Sequence, residues 1–389
     1  MKKRRVVVLG ATGSIGQSAM KVAVDLQEEM EIVGMGANQN GKLLAEQANR
    51  LRPRVLGLTE ECGLKDLRAR LEYDPEIVVG DTAMEELAGM EEANMVLVAI
   101  VGVAGLRPAL VAIEGKKTLA VASKEILVMA GETVMEAARQ QGVMVLPIDS
   151  EHNAIFQCLE GRNMEEVQRL ILTASGGPFR TWERSALEEV TREQALKHPT
   201  WSMGEKISID SATLFNKGLE MIEARWLFDV PMQKVDVIVH PQSIVHSMVE
   251  FCDGSVLAQM SYSDMCFPIQ YAVTWPERRK NSLKSLDFAA LGKLEFEAPR
   301  VEDFPALRLA REAGTAGGGC PAVLNAANEV AVGKFLENKL RFPEIWGCVE
   351  DILAQFDNTG CGTLEGIVAA DKWAREAAET WCEKKMKQS

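Results

Sequence analysis

The chain has 389 residues, 47% of them apolar and 25% charged, with a formal net charge of −13. That length exceeds one compact core and predicts two or three domains of a globular protein. The acidic balance argues against a general nucleic-acid or anionic-membrane binder, while leaving room for a local basic pocket that takes a phosphorylated small molecule.

The basic start, Met1 to Arg5, meets only a short apolar run before Gly10, too short for a signal sequence. Through about residue 150, short β-branched runs alternate with helix-like stretches. The expected strands are Arg5–Leu9, Glu31–Met35, Val55–Leu58, Ile77–Val79, Val96–Ile100, Thr118–Val121 and Val143–Leu146. Segments such as Ser18–Glu29 and Lys42–Arg52 carry helical spacing between them. This alternation predicts a parallel sheet wrapped by helices. The apolar stretch Met95 to Leu106 stops at Arg107-Pro108, short of the ~20 residues a membrane span needs, and reads as a buried strand with its turn.

Beyond 150 the pattern becomes α+β. Glu166–Thr173, Val235–Val239, Ile244–Phe251 and Val256–Tyr262 read as strands, the last two joined by an Asp253-Gly254 hairpin turn. One long helix is expected from Ser211 to Phe228. Residues 277–300 form a connector, and Ala306–Ala313, Pro321–Lys339, Pro343–Phe356 and Leu364–Lys385 predict a C-terminal helical bundle. The expected division is 1–149, 150–276, a connector at 277–300, and 301–389. Eight cysteines without a CxxC pair predict reduced thiols rather than a zinc ribbon or a disulfide framework.

Gly10-Ala11-Thr12-Gly13-Ser14-Ile15-Gly16 follows the first strand and opens a helix. Glycines let the backbone approach a pyrophosphate, and a helix N-terminus favours its charge, so the turn predicts dinucleotide binding against the alternative of a plain tight turn. After the second strand comes Gly36-Ala37-Asn38-Gln39-Asn40. The carboxylate that would hold the ribose hydroxyls of NAD is missing, which favours NADP.

Asp149-Ser150-Glu151-His152 follows the seventh strand. Read as extended chain, Asp149 and Glu151 point the same way, and two carboxylates suit a hard divalent cation. A helix cap by Asp149 or Ser150 explains the segment equally well. Asn216, Lys217 and Glu220 share one helix face, near Ser211 at the expected helix start. That face can hold a phosphate and lend Glu220 to a metal, or it can be a solvated Lys–Glu pair. Ser175-Gly176-Gly177-Pro178 can wrap an anion with backbone N–H groups or simply turn. All four histidines, 152, 198, 240 and 246, lie in the middle segment, and His198, which opens an aromatic, glycine-containing stretch, ranks first among them as a site residue.

In this order, Gly10–Gly16, Ala122-Ser123-Lys124-Glu125, Asp149–His152, Ser175–Phe179, His198 to Glu220 and Asn325-Ala326-Ala327-Asn328-Glu329 resemble the 1-deoxy-D-xylulose 5-phosphate reductoisomerase family over essentially the whole chain. The resemblance implies an α/β protein: an N-terminal Rossmann-like domain, a central α+β catalytic domain and a C-terminal helical bundle, working as a cytoplasmic homodimer. It implies NADPH-dependent rearrangement and reduction of a phosphorylated sugar, with Mg²⁺, Mn²⁺ or Co²⁺ held by Asp149, Glu151 and Glu220. Ser175, Ser211, Asn216 and Lys217 would hold the phosphate beside His198. Lys124, Ser150 and Glu151 would meet the rest of the substrate, and Lys124 would assist proton movement. His198 to Lys206 would form a lid, with Trp201 over the substrate. Thr12, Gly13, Ser14, Ile15, Gly36, Ala37, Asn38, Ser123, Glu125, Met203 and Gly204 would line the NADPH site, although Ala37 offers no side-chain hydrogen bond to a 2′-phosphate. Two other readings compete: an NADP-dependent sugar-phosphate dehydrogenase without rearrangement, and a cofactor-sensing module without turnover.

Overall fold

The computed structural model describes residues 3–198, 200–201 and 203–387. Pro199 and Ser202 of the expected lid, and Met1 and Lys2 of the basic start, lie outside the described residues. Two compact units emerge: Met1–Ile126 with Val134–Asn153 and Asp264–Ser285, and Leu127–Thr133 with Ala154–Ser263 and Leu286–Ser389.

The first unit is built on seven strands: β1 (Arg4–Leu9), β2 (Met30–Ala37), β3 (Val55–Leu58), β4 (Glu76–Val79), β5 (Met95–Val98), β6 (Thr118–Val121) and β7 (Val145–Pro147). Between them run α1 (Ser14–Asp25), α2 (Gly41–Leu51), α3 (Leu64–Arg70), α4 (Ala83–Gly89), α5 (Leu106–Glu114) and α6 (Lys124–Gln141), and β7 is followed by α7 (Ser150–Leu159). The sheet order is β4-β3-β2-β1-β5-β6-β7, and every pair is parallel. Val6, Val7, Val8 and Leu9 are fully buried, as a central parallel strand covered on both faces requires. The strand order reverses at β1, between β2 and β5, and ligands of such sheets bind at the carboxyl ends of the strands beside that reversal. Because all seven strands run the same way, the segments that follow β1, β2, β6 and β7 share that one edge. All seven expected strands lie within two residues of the observed ones, including Met95–Val98 in the apolar stretch read as a buried strand. Among the described residues no helix is long and apolar enough to cross a membrane.

The second unit has a four-stranded sheet, β8 (Val167–Ala174), β9 (Val235–Val239), β10 (Val245–Phe251) and β11 (Val256–Met260), in the order β11-β10-β8-β9. β8 and β9 are parallel, and β10 is antiparallel to β8 and β11. Asp253-Gly254 turns the β10–β11 hairpin, with Gly254 at φ +82° and the Asp253 carboxylate accepting from the Ser255 N–H at 2.9 Å. Its helices are α8 (Arg192–Ala195), α9 (Glu205–Thr213), α10 (Phe215–Leu227), α12 (Phe288–Leu291), α13 (Ala306–Ala316), α14 (Cys320–Leu336), α15 (Glu344–Gln355) and α16 (Leu364–Met386), while α11 (Cys266–Thr274) belongs to the first unit.

The single helix expected over Ser211–Phe228 is two helices. Leu214 sits between α9 and α10 in the left-handed region at φ 65°, with its side chain buried, so the apolar spacing runs on through a break it cannot reveal. The middle and C-terminal segments share one core. Phe179, after β8, meets Phe342, before α15, edge to face at 5.0 Å, and both join Phe215 of α10 in the same cluster. Truncating a ring buried to this degree costs about 3–5 kcal/mol, so the helical bundle and the middle sheet stand or fall together. None of the eight cysteines forms a disulfide among the described residues.

Candidate active site

On the carboxyl edge of the first sheet, Gly10 follows β1 at φ +87°, and its N–H and that of Ala11 both donate to the Gly36 carbonyl, at 2.9 and 2.8 Å. A Cβ on Gly10 would lie 2.3 Å from the Ala99 carbonyl oxygen, and one on Gly16 would lie 2.3 Å from that of Ala11. These two glycines are required by packing. Gly13 is different: a Cβ there meets only the Gly10 carbonyl oxygen, at 3.4 Å, and Gly13 is exposed at the N-cap of α1. No side chain caps that helix and no acidic residue stands in its first turn. An open backbone over an uncapped helix N-terminus fits a pyrophosphate. Thr12, Ser14 and Ile15 lie on the same turn.

At the end of β2, Ala37 is buried and its carbonyl accepts from the Thr59 N–H, whereas Asn38 is exposed. The Ala37 methyl is therefore part of the core, and the polar group at this corner is Asn38. After β6, the buried Ser123 hydroxyl donates to the Ile100 carbonyl at the end of the neighbouring strand, and Glu125 is buried beside it in sequence. Met203 and Gly204 belong to the second unit, just before α9.

The carboxylates after β7 stand on the same edge. The extended reading of Asp149–Glu151 does not hold: the strand ends at Pro147 and α7 begins at Ser150, so Glu151 lies in the first helical turn. The Asp149 carbonyl accepts from the Asn153 N–H at 2.8 Å. Its carboxylate meets the Lys124 ammonium at 2.6 Å. The buried Ser150 hydroxyl donates to Glu151 at 2.6 Å. Asp149 and Glu151 offer oxygens within 4.8 Å of each other, a carboxylate pair of the kind that binds hard divalent cations.

In the second unit, Ser175 follows β8. Its hydroxyl oxygen lies 3.0 Å from Nε2 of His198 and accepts from the Gly177 N–H at 3.2 Å. Nδ1 of His198 accepts from the N–H groups of Thr200 and Trp201, at 3.2 and 2.9 Å. A nitrogen that accepts twice carries no proton, so the neutral ring keeps its proton on Nε2 and donates it to Ser175. Burial pushes the His198 imidazole down to about 4, which keeps it in that neutral form. With two donors on its oxygen, Ser175 retains its own proton for an outside acceptor. Gly176 and Gly177 stand at φ +83° and +68°, and the Gly177 N–H is already spent on Ser175.

Across the Leu214 break, Asn216 donates to Glu220 at 2.5 Å and Lys217 pairs with its other oxygen. Lys217 is 3% exposed and Glu220 fully buried, so the solvated-pair reading is overturned. Burying such a pair brings little net stability, and a pair retained there is a candidate for function. Ser211, at the end of α9, is half-buried. His240 and His246 are structural: His240 bonds the Glu295 carbonyl and the Ile244 N–H, and His246 bonds the Ser261 hydroxyl. Residue-by-residue reading passed over Asp210, a fully bonded carboxylate beside Ser211, although Lys206 four residues earlier was a signal for it.

Three family models match the chain: 1-deoxy-D-xylulose 5-phosphate reductoisomerase over residues 6–131, and two C-terminal domains of the same enzyme over 145–228 and 260–377. A relative from Pelotomaculum thermopropionicum, named 1-deoxy-D-xylulose 5-phosphate reductoisomerase, is 50% identical over 96% of this chain and 97% of its own. One of the same name from Symbiobacterium thermophilum is 50% identical over 97% and 98%. Among solved structures, the Zymomonas mobilis enzyme in complex with NADPH superposes with a TM-score of 0.92 at 45% identity, covering 98% of this chain and 99% of that one. A reductoisomerase in complex with NADPH, fosmidomycin and magnesium gives 0.89 at 37% identity, with 98% of both chains covered. On this likeness along nearly its whole length, the chain belongs to the 1-deoxy-D-xylulose 5-phosphate reductoisomerase family.

Proposed function

We propose that Asp149, Glu151 and Glu220 hold one divalent cation, and that Ser175, Ser211, Asn216 and Lys217 hold the substrate phosphate beside His198. The protein is an NADPH- and divalent-metal-dependent oxidoreductase that converts 1-deoxy-D-xylulose 5-phosphate to 2-C-methyl-D-erythritol 4-phosphate, a step of non-mevalonate isoprenoid precursor synthesis. The observation that carries the site reading is the shared sheet edge: the glycine turn after β1 and the carboxylate pair after β7 open on the same side of one parallel sheet.

The reaction rearranges the carbon skeleton and then reduces the resulting aldehyde with the hydride of NADPH. A divalent cation at this site supplies Lewis acidity, stabilising negative charge on the substrate's oxygens while a carbon–carbon bond breaks and reforms. Lys124, charged beside Asp149, donates a hydrogen bond or a proton to those oxygens. Ser150 and Glu151 orient the substrate's hydroxyl groups. The Ser175 hydroxyl and the Lys217 ammonium face the phosphate, which lies away from the reacting carbons. Its binding energy is available to close the segment around Trp201 and exclude water from the aldehyde. His198 joins these tasks, since its ring holds both Ser175 and the backbone of Thr200 and Trp201.

The phosphonate fosmidomycin bound by a family member supports the phosphate reading. The family resemblance supports a cytoplasmic homodimer, and sedimentation equilibrium tests the dimer. Incubation with the sugar phosphate, NADPH and Mg²⁺ tests the function: loss of nicotinamide absorbance, abolished by EDTA, with a branched polyol phosphate identified by NMR. An unrearranged polyol product would favour the simple dehydrogenase instead.

A further inference from the structure

The motif Asn325-Ala326-Ala327-Asn328-Glu329 on α14 contributes no group to the proposed chemistry, yet both of its asparagine side chains are fully buried. Asn328 Nδ2 donates to Asp210 Oδ1 at 2.7 Å across 118 residues of chain. The other Asp210 oxygen receives the Lys206 ammonium, one turn back on α9, at 2.8 Å. Asp210 is 1% exposed and is the residue immediately before Ser211. On its other side the motif faces α16. Asn325 donates to Glu329 at 3.1 Å, and Arg375 donates to Glu329 at 2.7 Å and to Asp371 at 2.8 and 3.0 Å. The motif thus bonds α9 through Asn328 and α16 through Glu329.

The position of Asp210 gives this geometry its force. Helix α9 is nine residues long and starts at exposed Gly204 without a side-chain cap, after the segment expected to act as a lid. Lys206 lies on the same helix, so its pair with Asp210 is internal to α9. Asn328 supplies a fixed external point. Successive residues of a helix point about 100° apart, so pinning the Asp210 side chain fixes the rotation of α9 and with it the direction of Ser211. The opposite flank is closed by Gly177, where a Cβ would lie 2.9 Å from the Ser211 carbonyl oxygen. The backbone at Ser211 therefore rests between the Ser175 loop and the strut from α14.

We propose that Asn328 is a positioning residue: by holding Asp210 it sets the rotation of α9 and aims the Ser211 hydroxyl at the substrate phosphate. This rests on the reading of Ser211 as a phosphate ligand. Asn328→Leu keeps the branched shape and removes the donor. Its expected result is a KM for 1-deoxy-D-xylulose 5-phosphate raised about 10-fold with kcat within about 2-fold, as for a lost binding contact. Turnover of unphosphorylated 1-deoxy-D-xylulose at high concentration should keep its wild-type kcat/KM, a discrimination that general loosening of the fold would not produce. In a double-mutant cycle, Ser211→Ala should raise KM alone, and adding Asn328→Leu should raise it little further. Should Asn328→Leu fail to fold, Asn328→Ser, which keeps a polar atom and loses the reach, carries the same comparison. Wild-type KM in the folded variant, equal losses for both sugars, or additive effects of the two substitutions would each overturn the assignment. Wild-type protein that leaves the sugar phosphate unchanged in the presence of NADPH and Mg²⁺ would overturn the functional reading, and this proposal with it.

Discussion

The glycine turn of the first unit offers backbone, whereas α9 and α10 of the second unit offer side chains. At the turn after β1 the decisive features are the Gly10 and Gly16 close approaches and the open N-terminus at Gly13, all consequences of chain path. Around α9 and α10 the decisive features are side-chain charges: the buried pair of Lys217 with Glu220, and the buried Asp210 carboxylate with Lys206. Backbone sites are robust to most substitutions and fail when a Cβ intrudes. Side-chain sites fail when one member of a buried pair is removed, because the partner keeps its charge and loses its compensation.

This contrast sets the expected outcomes. Glu220→Gln should cost the most, lowering kcat by about 100-fold or more through loss of a metal-binding carboxylate; wild-type turnover at ordinary Mg²⁺ would remove Glu220 from the site. Lys217→Ala should raise the KM for the sugar phosphate by about 10- to 100-fold and lower the melting temperature, since Glu220 is left buried without its cation. An unchanged KM would leave Lys217 a purely structural residue. The glycine turn divides by position. Gly10→Ala and Gly16→Ala should fail to fold or melt far lower, whereas Gly13→Ala should melt as wild type and bind NADPH about 10-fold more weakly. Equal melting losses at Gly13 and Gly10 would erase the distinction between packing and ligand glycines.

The smallest effect concerns His198. Its folded value near 4 lies below the ordinary 6.5, so the unfolded chain takes up the proton first as pH falls. The stabilisation from the neutral ring is complete above pH 6.5 and is lost as pH drops towards 4. The ring resonances of His198 should stay constant between pH 8 and 5.5 in a proton NMR titration; a midpoint near 6.5 would contradict the tautomer assigned from its two backbone donors.

Legibility in the sequence followed the same divide. Strand and glycine signals are local, so β1 with its turn, β3, β6 and β9 could be read from a few residues each. The pair Asp149 and Glu151 was found for a reason that fails, extended spacing, because the chain is already helical from Ser150. Lys217 and Glu220 were found by spacing but could not be told from a solvated pair, since burial is a product of the folded packing and leaves no mark on the spacing. Leu214 carries none of the usual signs of a left-handed residue. Asp210 was invisible as a node because its partner Asn328 is 118 residues away. What remained was legible only because whole motifs in one order resemble a known family.

The most direct test of one shared cation site is a Mn²⁺ titration, followed by electron paramagnetic resonance, of the wild-type protein and of Asp149→Asn, Glu151→Gln and Glu220→Gln. One tight Mn²⁺ per chain, lost or severely weakened in all three variants while each still melts cooperatively, is the predicted result. A folded Glu220→Gln protein that binds Mn²⁺ with unaltered affinity and stoichiometry would contradict it.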